Sequence, residues 1–370
     1  MRGWDAILYL ESGHVFEGMG FGAQKTQGGE AVFNTALSGY QEVFTDPSYY
    51  KQVVVMTYPH LGNTGVNKED VESKKVYLSG VVAREYCQHP SNWRSTQKLG
   101  DYLNDAGVPG ISEVDTRLLT EILRDEGAQR SIIFPASERG TMTSAACGKK
   151  LMEKVEAMEG LELVSKVSCA SPYQFTLEGK SKTDAGTVVV YDYGVKTNIV
   201  RSIAQRGYQT WVVPYNFPHQ EAMKLKPTAV LLSNGPGDPS TVQGAVEPIQ
   251  ALMGKVPIMA ICMGHQLLAR ALGCKTYKLK FGHHGVNHPV QDQLTGKILI
   301  TSQNHGFSVK AEDLKMKEIQ LSHVSLNDGT VEGFYSERMK FYSVQFHPEA
   351  KPGPSDADSI FDTFARGFLK

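Results

Sequence analysis

From residue 187 onward, short apolar runs alternate with stretches whose apolar positions recur at helical spacing. Strands are predicted at 187–191, 210–213 and 229–232, and helices at 198–205 and 219–225 between them. A short helix at 246–253 precedes a further apolar strand that runs into Cys262. Pro248 suits that helix because it falls in the first turn, where no intrahelical N–H bond is lost. This alternation predicts an α/β fold with a doubly wound, mainly parallel sheet. Ligands in such sheets bind at the carboxyl ends of the strands. After Lys275 the pattern shifts toward antiparallel-like segments.

The amino-terminal part reads differently. Short strands are predicted at 6–10, 14–17, 53–57 and 76–82, and helices at 93–105 and 115–125. The second helix opens on Asp115 and stops before Gly127, which are start and stop signals. Few helices among many short strands imply a separate, smaller α+β or β-rich domain over residues 1–150. Residues 151–186 are expected to connect it to the second domain, 187–370, with a polar linker at 171–186. There is no internal repeat or low-complexity tract.

Three motifs carry chemistry. The stretch Val256-Pro257-Ile258-Met259-Ala260-Ile261-Cys262-Met263-Gly264-His265-Gln266 reads as a strand that turns at once into a helix. A sharp turn there exposes the thiol at the sheet edge, and the new helix N-terminus favours thiolate. Ala260 and Gly264 are small enough to let the turn close, as in serine nucleophile elbows. Taken alone, Cys262 is equally a buried small hydrophobe. Downstream, Phe341-Tyr342-Ser343-Val344-Gln345-Phe346-His347-Pro348-Glu349 reads as a strand entering a turn. Alternation along the chain puts His347 and Glu349 on one side, where the carboxylate can orient the imidazole. Taken alone, that pair is as well read as a surface ion pair in a turn. Together the two motifs supply a nucleophile, a base and an orienter. The third motif, Leu231-Leu232-Ser233-Asn234-Gly235-Pro236-Gly237-Asp238-Pro239, empties an apolar strand into a glycine-rich loop. Its backbone N–H groups suit a developing oxyanion, although these residues also make ordinary turns. No Gly-Lys-Ser/Thr ending marks it as a phosphate loop.

Composition narrows the setting. The chain has 370 residues, enough for two cores, with 41% hydrophobic and 21% charged residues, an ordinary globular balance. A formal net charge of -1 gives no bulk attraction to nucleic acid or to membranes. Five scattered cysteines fit free thiols in a reducing compartment. No apolar run approaches membrane-spanning length, and the apolar run at 6–10 is cut short by Glu11, so no signal peptide is read and a cytoplasmic location is expected.

The glycine loop, the cysteine elbow and His-Pro-Glu, in this order and spacing, resemble the class I (triad) glutamine amidotransferases. Ala260 departs from that family's usual glycine. The resemblance implies Cys262 as nucleophile, His347 as acid/base and Glu349 as its orienter. It also implies an oxyanion hole from the N–H groups of Gly235 and Met263. The first half extends the resemblance through Gly29-Glu30-Ala31-Val32-Phe33-Asn34-Thr35, Ser38-Gly39-Tyr40-Gln41-Glu42, Thr45-Asp46-Pro47-Ser48-Tyr49, Thr57-Tyr58-Pro59-His60, Asp115-Thr116-Arg117 and Glu126-Gly127-Ala128. Lys280-Phe281-Gly282-His283-His284-Gly285 and Gln303-Asn304-His305-Gly306-Phe307 continue it in the second half. Across nearly its whole length the chain resembles the small, glutamine-hydrolysing chains of carbamoyl-phosphate synthases.

That resemblance implies a substrate, L-glutamine, held by Ser48, Gly235, Gly237, Met263, Gln266, Asn304, Gly306 and Phe307. Ser48 stands in the amino-terminal part, and by itself it reads as a turn serine after Asp46-Pro47. A large-subunit partner is implied, with ATP and its metal ions on that subunit and no cofactor in this chain. The product would be carbamoyl phosphate for arginine and pyrimidine synthesis. No nucleic-acid or membrane partner is implied. His283, His284 and His288 lack zinc-site spacing and are read as structural, so no metal is assigned. His305 is read as a neighbour of the pocket or a core histidine. Cys87, Cys147, Cys169 and Cys274 lack an elbow and receive no role. A free-standing γ-glutamyl hydrolase and a non-catalytic regulatory subunit are the rival readings.

Overall fold

The computed structural model describes residues 3–177, 185–317 and 319–368. It contains two compact units: Met1–Leu161 with Lys280–His284, and Glu162–Leu279 with Gly285–Lys370. Among the described residues no helix is long and apolar enough to cross a membrane.

The first unit is a closed barrel of seven strands. Trp4–Leu10 pairs antiparallel with Val15–Gly22 and Gln129–Pro135, while Gln27–Asn34, Gln52–Met56 and Gly80–Val82 run parallel to one another. Closure leaves the barrel no free edge. Val53, Val55, Ile111 and Ile133 fill its interior with Leu119 and Leu123 from the helix Thr116–Glu126. The Asp115 side chain caps that helix by accepting from the Leu118 N–H at 3.0 Å, and Gly127, at φ 103°, ends it.

Two expectations for this unit need correction, and one strand stands where none was expected. The helix expected over 93–105 is confined to Leu99–Asp105. Residues 92–97 bond elsewhere: Thr96 N–H donates to the Val66 carbonyl and Val66 N–H to the Gln97 carbonyl, so these groups are unavailable to a helix. The strand expected over 76–82 is confined to Gly80–Val82, because Tyr77 and Ser79 donate to Phe44 and Gln52 outside any ladder. The strand Gln27–Asn34 carries no strong strand pattern, since it contains two glycines. Gly29 is there for close approach: a β-carbon on it would lie 2.3 Å from the Lys51 carbonyl oxygen.

The second unit is built on a ten-stranded sheet. Its centre is parallel: Gln209–Pro214, Thr187–Asp192, Ala229–Leu232, Ile258–Ile261 and Phe341–Val344 lie side by side. The helices Thr197–Gln205, His219–Lys224 and Val246–Leu252 connect these strands as the periodicity predicts, and Pro248 is the third residue of the last. Antiparallel strands Val331–Ser336, Gln320–Ser325, Thr276–Asp292 and Ile298–Val309 extend the sheet on the side of the histidine strand. At the opposite edge Tyr173–Phe175 pairs antiparallel with Gln209–Pro214. This edge strand lies in the stretch expected as a linker, of which 178–184 fall outside the described residues. Chain order reverses around Thr187–Asp192, with Gln209–Pro214 on one side and Ala229–Leu232 on the other. Loops at that carboxyl edge form the crevice where such sheets bind ligands.

Replacing Asp115 by Ala should lower stability by about 1 kcal/mol through loss of the helix cap. Urea unfolding of the full chain measures this.

Candidate active site

The cysteine strand Ile258–Ile261 is wholly buried and passes directly into the helix Met263–Ala271. Cys262 caps that helix at φ 54° and ψ -107°. A side chain at positive φ costs about 1–3 kcal/mol and persists only where neighbours hold it. Here Cys262 N–H donates to the Val344 carbonyl at 3.0 Å, and Gly264 N–H to the Ser233 carbonyl at 2.9 Å. A β-carbon on Gly264 would stand 2.2 Å from the Leu232 carbonyl oxygen, so glycine is required. The methyl of Ala260 is accommodated in the core, and the elbow forms around it.

His347 follows the strand Phe341–Val344, and its N–H donates to the Ser302 carbonyl at 2.9 Å. Its Nδ1 lies 2.7 Å from Glu349 Oε1. The same oxygen is 2.9 Å from Lys196 Nζ, and all three side chains are buried. Burial opposes charge on the imidazole, but the Glu349 carboxylate and the Cys262 sulfur outweigh it and raise His347 to about 10. Burial also opposes charge on Glu349, yet Lys196 and His347 hold its carboxyl down at about 2. The pair is therefore ionic across the physiological range. Nε2 of His347 makes no hydrogen bond, and the thiol leans on the Asn304 carbonyl at 3.6 Å.

The glycine loop leaves the strand Ala229–Leu232 at the same sheet edge. A β-carbon on Gly235 would lie 2.0 Å from the Tyr193 carbonyl oxygen, and Gly237 sits at φ 88°. Asn234 Oδ1 accepts from the Lys196 N–H at 3.0 Å, which ties this loop to the start of Thr197–Gln205. Asn198 Nδ2 donates to the Glu349 carbonyl at 2.7 Å, and Lys196 Nζ donates to that of Ala350 at 2.7 Å.

The other expected pocket residues distribute as follows. Met263 and Gln266 are on the elbow helix, and Asn304, Gly306 and Phe307 are on the strand Ile298–Val309. Gln266 Nε2 donates to the Phe307 carbonyl at 2.9 Å and to Gln345 Oε1 at 3.1 Å, which leaves its amide oxygen as an acceptor. His305 contacts the same Phe307 carbonyl through Nδ1 at 2.8 Å. Ser48 belongs to the first unit, in the turn Pro47–Tyr49, where its N–H donates to Asp46 Oδ1 at 2.9 Å. His283 and His284 also belong to that unit, and the His284 carbonyl accepts from Thr35 N–H at 3.3 Å.

Comparison with known proteins fits these features. Residues 189–366 match the model of glutamine amidotransferase class I, and residues 8–133 match that of the carbamoyl-phosphate synthase small chain, CPSase domain. The chain is 47% identical to the carbamoyl phosphate synthase small chain of Syntrophotalea carbinolica, over 97% of this chain and 96% of that protein. It is 46% identical to the small chain of Clostridium perfringens, over 98% of this chain and 99% of that protein. The chloroplastic small chain of Arabidopsis thaliana is 44% identical over 98% of this chain and 85% of its own length. The chain belongs to the carbamoyl phosphate synthase small-chain family.

Two features of this small chain escaped the sequence reading. Lys196 is 2% exposed despite its charge, and nothing in the local sequence signals burial. Its place in a strand-to-helix loop at the sheet's carboxyl edge was the available clue. Asn198 and Asn234, which fasten the same loops, look like ordinary cap and turn residues.

Replacing Lys196 by Met should cost about 3–5 kcal/mol, because it strips the cation from a buried carboxylate; chemical denaturation measures it. The raised His347 value makes the pair's contribution complete below the ordinary imidazole value of 6.5 and lost as pH rises through about 10. The lowered Glu349 value makes its contribution present above the ordinary 4.5 and lost as pH falls through about 2. Unfolding free energy should therefore decline on the alkaline side in the parent, and Glu349→Gln should flatten that decline. An unchanged alkaline slope in the variant would place the titration elsewhere.

Proposed function

We propose that this chain is the glutaminase subunit of a carbamoyl phosphate synthase, which frees ammonia from L-glutamine for a large chain that joins it to bicarbonate at the expense of ATP. The observation that carries this reading is the elbow cysteine beside a buried His347–Glu349–Lys196 chain at one sheet edge.

The geometry supports the following chemistry. When glutamine displaces the sulfur from the Asn304 carbonyl, the proton of Cys262 resides on His347 Nε2 as the imidazolium, and the sulfur is the thiolate. The sulfur attacks the side-chain amide carbon, and the negative charge passes to the oxygen. The N–H groups of Gly235 and Met263 stabilise that oxygen; Met263, as the first residue of its helix, has no intrahelical acceptor for its N–H. The imidazolium returns its proton to the leaving nitrogen, the C–N bond breaks, and ammonia departs. Water then attacks the γ-glutamyl thioester while His347 takes its proton; the C–S bond breaks, and glutamate and the thiol are restored. Glu349 remains anionic throughout and holds Nδ1–H in place. The Gln266 amide oxygen is suited to the ammonium group of glutamine. Carbamoyl phosphate made in this way feeds arginine and pyrimidine synthesis.

The test is glutamine-dependent carbamoyl phosphate formation by the two-chain enzyme with ATP and bicarbonate. Cys262→Ala should reduce it by at least a thousandfold, while added ammonia restores synthesis to the parent rate. Retained glutamine-dependent synthesis in the variant would refute the nucleophile. Glutamine hydrolysis without carbamoyl phosphate, beside a large chain that works on ammonia, would favour a free-standing hydrolase.

A further inference from the structure

A buried acid stands behind the expected glutamine pocket. Glu332, on the strand Val331–Ser336, is wholly buried, and its Oε2 accepts from Gln303 Nε2 at 2.8 Å. Thr301, Gln303 and His305 stand two residues apart on the strand Ile298–Val309, so the pleat turns their side chains to one face. Gln303 Oε1 lies 3.0 Å from His305 Nε2, and His305 Nδ1 lies 2.8 Å from the Phe307 carbonyl oxygen. Both side chains are buried. The contacts thus run from a carboxylate to the carbonyl that also accepts from Gln266 Nε2 at 2.9 Å.

Donors and acceptors along this path fix its protons. An amide can be turned end for end, but here only one orientation serves. The Gln303 nitrogen faces the Glu332 carboxylate and, at 3.2 Å, Thr301 Oγ1. Thr301 donates its one hydroxyl proton to the His288 carbonyl at 2.9 Å, so toward Gln303 it must accept. The amide oxygen is therefore the end that meets His305. That oxygen only accepts, and so does the Phe307 carbonyl. Each ring nitrogen of His305 must then carry a proton, which makes the ring an imidazolium. A buried cation needs a counter-charge, and Glu332 Oε1 stands 3.9 Å from His305 Nε2.

We propose that Glu332, acting through Gln303, holds His305 as an imidazolium, and that this charge fixes the Phe307 carbonyl and with it Gln266 in the glutamine pocket. Hydrogen bonds from a charged donor are shorter and about twice as strong as neutral ones. With His305 and Gln266 both donating to it, the Phe307 carbonyl has its two lone pairs engaged. Gln266 is pinned at its nitrogen by this carbonyl and by Gln345 Oε1, and its oxygen is kept for the ammonium group of the substrate. A neutral His305 would carry one proton, and one of its two contacts would set lone pair against lone pair. Glu332 and Gln303 are thus positioning residues, and because their path ends at Gln266 the effect falls on holding glutamine. This rests on the glutaminase reading above.

The experiment uses the two-chain enzyme. Glu332→Gln keeps the shape and removes the charge. It should raise the KM for glutamine about tenfold, while kcat stays within about threefold of the parent. Ammonia-dependent synthesis at the parent rate shows that the complex is intact. The double variant Gln303→Glu, Glu332→Gln returns one carboxylate, now directly against His305, and should recover a KM within about threefold of the parent. A merely structural role gives no such recovery, because the double variant disturbs the buried network twice. In the full chain with nitrogen-labelled histidine, NMR should find both ring nitrogens of His305 protonated at neutral pH, with His305→Gln assigning the signals. Should Glu332→Gln fail to fold, this spectrum of the parent decides. A parent-like KM in the folded Glu332→Gln variant, a double variant no better than the single one, or a singly protonated His305 ring overturns the proposal. Loss of the glutaminase reading would show separately, as glutamine hydrolysis surviving in Cys262→Ala.

Discussion

One buried carboxylate organises the second unit. Glu349 is taken out of water and must be compensated there, since an unpaired buried charge costs several kcal/mol. A single oxygen of Glu349 meets both the Lys196 ammonium and the His347 imidazole. That sharing fixes more than two side chains. Lys196 stands at the start of one helix and takes Asn234 of the glycine loop on its backbone N–H. Asn198, two residues on, holds the Glu349 carbonyl. Ser233, beside Asn234, accepts the N–H of Gly264 in the elbow. Four loops at the carboxyl edge of the parallel strands are thereby tied into one network, and each supplies a group to the proposed chemistry. Such networks are rigid when fully satisfied and costly when any member is lost.

Strain is tolerated where that network is densest. Cys262 at positive φ is held by strands on both sides and by a glycine contact that admits no β-carbon. The geometry keeps the sulfur at the strand end, against the Asn304 carbonyl and within the field of His347. A cysteine in relaxed helical conformation would carry its thiol along the helix flank instead. The two units manage their strand edges in different ways. The barrel abolishes edges by closing, whereas the open sheet must cover or use its own.

Much of this was legible along the chain. In the parallel half the apolar runs are short, continuous and separated by amphipathic helices, and element after element falls within a residue or two of its expected place. The helix Thr116–Glu126 was legible for the same reason, with an aspartate cap and a terminal glycine. Elsewhere local pattern misled. Thr96 and Gln97 lie where a helix was expected but give their backbone groups to Val66, and Gln27–Asn34 hides a strand behind two glycines. In each case a partner distant in sequence outweighed local preference.

The sequence by itself determined the alternation of strands and helices, the elbow around Cys262, the spacing that sets His347 beside Glu349, and the family. These depend on neighbours a few residues apart, whose relation is set by backbone period and by side-chain size. The tertiary structure decided that Lys196 is buried against Glu349 and that the thiol leans on Asn304. Burial and charge pairing are properties of surfaces brought together from distant parts of the chain. No local pattern carries them, because the cost of desolvating a group and the field acting on it are fixed only when its neighbours in space are known.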